Sequence, residues 1–214
     1  MMNDTLIDKL VNDLAPQKPL LNYKLWVHCT SCLFLVAVMI IGLMRIRDDY
    51  LIAIQAGSMF WKPGIFLLIW LASILLILDI SRPTGSLKRH HALPLIASAL
   101  IIIWQFVAQA HEHSLAQILA FLRDKSAFTC LPTIFIGGGF AFVMAWKFWL
   151  SKTASPRPVA LGALAGLSAG SLAAAAYALH CEKDAALYIS VYYMLPIFAL
   201  CMIGAILGKK NLRW

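Results

Sequence analysis

Cysteine and histidine side chains carry most of the reactive chemistry in this sequence, which holds five cysteines and six histidines. His180 directly precedes Cys181, and His111 and His113 lie upstream of Cys130. Thiolate and imidazole groups suit zinc or another thiophilic metal ion, and two thiols can also be oxidised to a disulfide. These five residues are therefore candidate sensing or metal-binding groups. The alternative is that the histidines are ordinary solvated loop residues.

The other three cysteines have a simpler interpretation. Cys29 and Cys32 form a Cys-x-x-Cys pair, and Cys201 lies in the middle of the last apolar run. A redox interpretation of Cys-x-x-Cys requires a soluble fold around it, whereas cysteine is readily buried as a small apolar residue. We therefore expect these three thiols to be packing residues.

Six long apolar runs must position these groups. None contains Lys, Arg, Asp or Glu, and they cover residues 25–44, 63–78, 92–110, 127–146, 158–179 and 185–208. About 17–25 apolar residues cross a hydrocarbon layer roughly 30 Å thick, and the second run reaches this length once Asp79 and Ile80 are included. With 61% hydrophobic and 13% charged residues, the chain is predicted to be an all-α integral membrane bundle of six transmembrane helices.

The distribution of Lys and Arg predicts the orientation of this bundle. Segments at one face hold twelve of these residues, and segments at the opposite face hold six. The twelve are Lys9, Lys18, Lys24, Arg82, Lys88, Arg89, Lys147, Lys152, Arg157, Lys209, Lys210 and Arg213; the six are Arg45, Arg47, Lys62, Arg123, Lys125 and Lys183. Because the excess of positive charge is cytoplasmic, both termini are predicted to be cytoplasmic, and Cys130 and Cys181 to lie at the outer face. The basic residues do not cluster on a water-exposed domain, so direct nucleic-acid binding is not expected.

The first 24 residues form a separate cytoplasmic segment ahead of the membrane domain of residues 25–214. Residues 5–15 carry an apolar stripe at helical spacing, followed by Pro16; the stripe consists of Leu6, Ile7, Leu10, Val11 and Leu14. A helix of about eleven residues is not stable alone in water, so another surface must cover this stripe. The segment is net negative, and anionic headgroups would repel it. A groove on a basic protein partner is the favoured surface, and the alternative is the cytoplasmic loops of the chain's own bundle.

Small residues follow a single stripe of the fifth apolar run. Gly162, Gly166 and Gly170 recur at four-residue spacing among several alanines. Such a stripe lets helix backbones approach closely, which drives helix association where lipid offers no hydrophobic gain. The stripe therefore predicts tight helix packing and not a phosphate-binding loop.

Two parts of the chain carry a family resemblance. They are the opening sequence LIDKLVNDLAP at residues 6–16 and the closing stretch, especially residues 156–158, 177–184, 192–193 and 204–214. Both resemble NrsF-type membrane anti-sigma factors. The resemblance implies a multi-pass protein of the bacterial inner membrane that holds an extracytoplasmic-function sigma factor inactive through its amino-terminal segment. It also implies a periplasmic cysteine pair, which falls on Cys130 and Cys181.

We therefore predict a regulator and not an enzyme, with the lipid bilayer and a sigma factor as its partners. Oxidation of Cys130 and Cys181, or capture of a zinc or other thiophilic ion, would shift the last three helices and release the sigma factor. No other cofactor is expected. The alternative functions are a small transporter or channel and a metal-binding membrane protein. A haem enzyme is disfavoured because the histidines lie at helix ends and do not face each other inside the bundle.

Overall fold

The structure is a computed structural model that describes residues 22–82, 85–121, 123, 125–153 and 155–212. These residues form helices and no strands, which confirms the predicted all-α fold. The helices are α1 (Asn22–Met44), α2 (Tyr50–Gln55), α3 (Ser58–Ile80), α4 (Arg89–Glu112), α5 (Leu115–Phe121), α6 (Ala127–Phe148), α7 (Pro158–Ala178) and α8 (Ala186–Asn211).

Five of these helices have the length and apolar composition of membrane-spanning segments: α3, α4, α6 with the short turn after it, α7 and α8. Helix α1 has 23 residues, of which the part from Cys29 to Met44 is a shorter apolar stretch. The chain is thus a membrane protein. The sixth span and the orientation of the bundle stay predictions from the sequence.

The surface of α4 shows why lipid is the natural surroundings of this fold. Its large apolar side chains point away from the rest of the protein, with Leu93 62%, Leu100 61% and Trp104 74% exposed. A soluble monomer rarely exposes so continuous an apolar face, whereas hydrocarbon tails cover it at no cost.

Helix α7 forms the centre of the bundle and packs against α8, α3, α6 and α1. Its second half is almost entirely buried, and the residues there are mostly alanine and serine. Because these side chains are short, four neighbouring helices can approach a single helix. The composition of this run therefore determines which helix occupies the middle.

The glycine stripe of α7 makes the close helix contact that was predicted, and the structure shows that its partner is α8. A Cβ atom at Gly162 would overlap the carbonyl group of Gly204, and one at Gly166 would overlap the carbonyl group of Leu200. Gly204 and Gly208 of α8 are equally close to the α7 backbone. The two helices are therefore in backbone contact, which only glycine permits at these positions.

We expect Gly166→Ala and Gly139→Ala to change stability in opposite directions. The alanine methyl at 166 has to displace the α8 backbone, and such overpacking costs about 1–3 kcal/mol. Gly139 of α6 has no atom within 4 Å of the added Cβ, so alanine gains up to about 1 kcal/mol of helix propensity there. Thermal unfolding of the two variants in the same detergent measures the difference. Equal melting temperatures would contradict the tight α7–α8 contact.

The start of α3 corrects the sequence analysis. The predicted run began at Pro63 because Lys62 interrupts the stretch of uncharged residues, but the helix begins at Ser58 and Pro63 lies in its second turn. Membrane helices tolerate proline when neighbouring groups satisfy the freed backbone atoms. The earlier start moves Lys62 from a predicted connection into the helix, where it is completely buried.

Candidate functional site

The predicted sensing residues lie at one end of the bundle, which we call the thiol end. Here α1 and α7 finish, and α3, α6 and α8 begin. Cys130 is in the first turn of α6, and Cys181 follows α7 in the connection to α8. The opposite end holds the beginning of α1, directly after the amino-terminal segment.

Cys130 and Cys181 are neighbours in the structure. They are 0% and 5% exposed, and their thiols are close enough to interact electrostatically. Both are free thiols, and Cys130 Sγ contacts the carbonyl oxygen of Tyr192 at 3.8 Å. The sequence could say only that a bridge was conceivable if the turns met. The fold brings the two residues together.

Tyrosine side chains enclose this thiol pair. Tyr177 of α7 and Tyr188, Tyr192 and Tyr193 of α8 are all buried. Tyr193 packs against Tyr177 with ring centroids 5.8 Å apart, and the hydroxyl groups of Tyr188 and Ser126 lie 3.1 Å apart. Three of these tyrosines belong to α8, and two of them, Tyr192 and Tyr193, lie in a π-helical turn, Ile189–Tyr193, that widens the helix. Such turns are frequent at functional sites, and no sequence signal predicted this one.

Cys181 also lines a pocket of about 380 Å³ at the thiol end, whereas Cys130 does not. The pocket is lined by Met44, Arg45, Ile46, Arg47, Asp48, Ser126, Thr129, Tyr177, His180, Cys181, Glu182 and Lys183. Most of these side chains are polar or charged. A water-borne reagent that enters this pocket therefore meets Cys181 before Cys130.

Four ionic residues, which we call the charge cluster, hold the backbone around Cys181. They are Arg47, Asp49, Lys62 and Asp184. The ammonium group of Lys62 donates hydrogen bonds to the carbonyl oxygens of Cys181 (2.7 Å) and Lys183 (2.8 Å) and to Asp184 Oδ1 (3.2 Å). Arg47 donates two hydrogen bonds to Asp184, at 3.2 and 3.0 Å, and two to Asp49, at 2.6 and 2.8 Å.

These contacts keep Arg47, Asp49 and Asp184 charged. Burial favours the neutral form of Asp184, but the hydrogen bonds from Arg47 and the charge of Lys62 outweigh it and lower its pKa. The pKa of Asp49 is lowered chiefly by its hydrogen bond from Arg47. The same bond raises the pKa of Arg47, against the effect of burial. Both carboxylates and the guanidinium group are therefore ionised at neutral pH.

Sequence reasoning missed the charge cluster. Arg47 and Lys62 flank apolar runs in the sequence, and the side chains of such cations usually extend to the membrane surface. Instead, they are 4% and 0% exposed. Two of the six basic residues assigned to the outer face are thus neutralised inside the protein. A signal that could have indicated this is the presence of several carboxylates, Asp48, Asp49, Glu182 and Asp184, in the two connections at the same face.

The predicted histidine ligands do not form a cluster. His111 is exposed at the end of α4, and His113 follows that helix. His180 is close to Cys181, but its Nδ1 lies 3.0 Å from the carbonyl oxygen of Arg45, and its ring packs on Tyr177. Across the described residues, no group of three or more His, Cys, Asp or Glu side chains could hold a metal ion. Metal binding by the histidines stays a prediction.

The predicted partner-binding residues, Leu6, Ile7, Leu10, Val11 and Leu14, lie outside the described residues. The described chain begins with α1 at Asn22. Cys29 is buried in the core, as expected for a packing residue, and Cys32 and Cys201 are partly buried.

The fold and the site define a class: a helical membrane protein with a buried thiol pair and ionic side chains at one end. Comparison with known proteins is more specific. The sequence model of the family described as "Negative regulator of sigma F", NrsF, matches residues 10–214. The chain therefore belongs to the NrsF family of anti-sigma factors, and its suspected membership is confirmed.

Two curated relatives agree with this assignment. The anti-sigma-F factor NrsF of Caulobacter vibrioides (strain NA1000 / CB15N) is 30% identical over 182 residues, which cover 83% of this chain and 82% of that protein. The probable anti-sigma-F factor NrsF of Azospira oryzae (strain ATCC BAA-33 / DSM 13638 / PS) is 29% identical over the same shares. No solved structure matches the chain.

Proposed function

We propose that this protein holds an extracytoplasmic-function sigma factor at the bacterial inner membrane and releases it on a periplasmic signal. Membership of the anti-sigma family over residues 10–214 is the observation that carries this proposal. The sigma factor binds the apolar stripe of Leu6, Ile7, Leu10, Val11 and Leu14 as a helix in a groove. While it is bound there, it is withheld from RNA polymerase. The function is regulatory and requires no catalytic group.

The signal acts at Cys130 and Cys181. An oxidant such as diamide removes two electrons and two protons from the thiols and joins them in a disulfide. A thiophilic metal ion such as Zn²⁺ instead displaces the two thiol protons and binds both sulfur atoms. The proximity of the two thiols supports either event, and the pocket beside Cys181 supports access from water.

Helix α6 is one route from this site to the partner-binding segment. Cys130 is two turns from Gly137, whose position on α6 lies against Val36 and Ile40 of α1: a Cβ there would be 3.5 Å from Val36 Cγ1 and 3.9 Å from Ile40 Cδ1. A rotation or shift of α6 at Cys130 would therefore press on α1. Because α1 directly follows the amino-terminal segment, such a movement changes how that segment is presented.

Co-purification tests the proposed partner. Full-length protein solubilised from the membrane is expected to carry a sigma factor with it, and a chain that starts at Tyr23 is expected to carry none. The shortened chain loses only Asn22 from the described helices, so we expect it to keep the membrane fold. Recovery of the same sigma factor with both chains would assign binding to the bundle and contradict the proposal.

A further inference from the structure

The geometry points to a second role for the thiol end: the charge cluster is a latch that ties the outer end of α1 to the Cys181 segment and keeps the protein in its repressing state. Opening the latch would release the sigma factor even when both thiols are intact. This inference rests on the proposed function, because its regulatory readout is sigma-factor activity. The structural part of the inference, that Lys62 holds the Cys181 segment in place, is independent of the proposed function.

Lys62 connects α3 to the backbone on both sides of Glu182. Its three acceptors are two main-chain carbonyl groups and one carboxylate of the segment 181–184. Its ammonium group also lies 5.4 Å from the ring centre of Tyr193, one of the tyrosines around the thiols. A single buried side chain thus holds the main chain on both sides of Glu182.

Residues 45–49, directly after α1, are tied to the same segment. Besides the bond pair from Arg47 to Asp184, the Arg47 amide donates to the carbonyl oxygen of Leu179 at 3.3 Å, and the Asp48 amide donates to Glu182 Oε1 at 3.4 Å. These bonds join the two segments at three residues, Leu179, Glu182 and Asp184.

The backbone of Arg45, at the end of α1, has a conformation that neighbouring contacts must maintain. Its φ is 64°, in the left-handed region that residues other than glycine rarely adopt. Contacts from surrounding structure must maintain such a conformation, and here His180 lies on the Arg45 carbonyl oxygen at 3.0 Å. Loss of the contacts with segment 179–184 would let the end of α1 relax.

Ionic groups suit a latch better than they suit static packing. Apolar residues of similar volume hold helices together as well as buried ion pairs do, and ionisable residues within membrane segments are costly and commonly functional. Buried charges are stable only with their partners in place, so the cluster favours one arrangement strongly over partly opened ones. A thiol reaction that draws Cys181 toward Cys130 would pull the Cys181 carbonyl group away from Lys62. Reaction of the thiols and closure of the latch therefore oppose each other.

Lys62→Met in the full-length protein tests the latch, since methionine keeps the length of the side chain without its charge or donors. In a chain with serine at positions 29, 32, 130 and 201, we expect Cys181 to react with a membrane-impermeant maleimide about tenfold faster or more. The reason is that loss of a hydrogen bond to a charged group makes local opening of the segment more favourable by about tenfold or more. In an otherwise unchanged chain, sigma-dependent transcription is expected to rise without any inducer. Lys125→Met, at an exposed lysine predicted to lie on the same face, is the matched control and should change neither.

The outcomes separate the latch from the proposed function. Unchanged labelling and full repression, at a normal protein level in the membrane, would overturn the latch. Faster labelling with intact repression would overturn its coupling to the sigma factor. Derepression that persists when Cys130 and Cys181 are both serine would support the latch even if sensing by the thiols were wrong. If deletion of the whole protein left transcription unchanged, the proposed function would fail. If the Lys62 variant does not accumulate, Asp184→Asn weakens the same cluster, and the same results are expected of it.

Discussion

Replacing Leu10 and Leu14 by aspartate is expected to abolish repression and raise sigma-dependent transcription to the level of a strain without the protein. Both leucines lie on the apolar stripe of the amino-terminal segment. A buried apolar anchor in a helix-in-groove interface commonly contributes about 2 kcal/mol or more. Two such losses weaken binding by about a thousandfold. Repulsion between the two new aspartates, one helical turn apart, would destabilise the helix further. A transcriptional reporter measures the effect.

The matched control adds the same two charges away from the stripe, as Asn3→Asp with Asn12→Asp. These substitutions are expected to leave repression close to normal, because neither position belongs to the apolar stripe. Immunoblotting of membranes shows whether all variants accumulate equally. Continued repression by the Leu10 and Leu14 variant would remove the stripe as the binding surface.

Replacing Cys130 and Cys181 by serine is expected to leave repression intact and to eliminate induction. Serine is close to cysteine in size, and a hydroxyl at position 130 can keep the contact with the Tyr192 carbonyl oxygen. Neither disulfide formation nor binding of a thiophilic metal ion is then available. In cells treated with diamide or with Zn²⁺, the fold-induction of sigma-dependent transcription should fall to about one, since no thiol remains to react at this site.

Cys29→Ser with Cys32→Ser provides the comparison, because this pair lies away from the thiol end. Normal induction in that variant and none in the first would locate sensing at Cys130 and Cys181. Diamide tests sensing by disulfide formation, and Zn²⁺ tests sensing by metal binding. Normal induction of the Cys130 and Cys181 variant by both would exclude the pair as the sensor.

The helices illustrate what could be read from single residues and their spacing. Runs without charge predicted the positions of α1, α4, α6, α7 and α8 to within a few residues. Helix formation in a membrane follows from local composition, because every backbone group must be satisfied within its own segment. The one clear error in a helix boundary, at the beginning of α3, arose where the cost of a buried lysine was offset by acceptors from a distant segment.

Sequence alone determined the helical membrane fold, the close helix packing of the glycine stripe and the family. These depend on apolar length, on glycine spacing and on residue identities, which are all properties of the chain read in order. Only the tertiary structure decided that the glycine stripe packs against α8, that Cys130 lies near Cys181 among buried tyrosines, and that Lys62 and Arg47 are buried against Asp184. The physical reason is that the burial of a charge or a thiol depends on which distant segments supply its partners. No pattern within one segment contains that information.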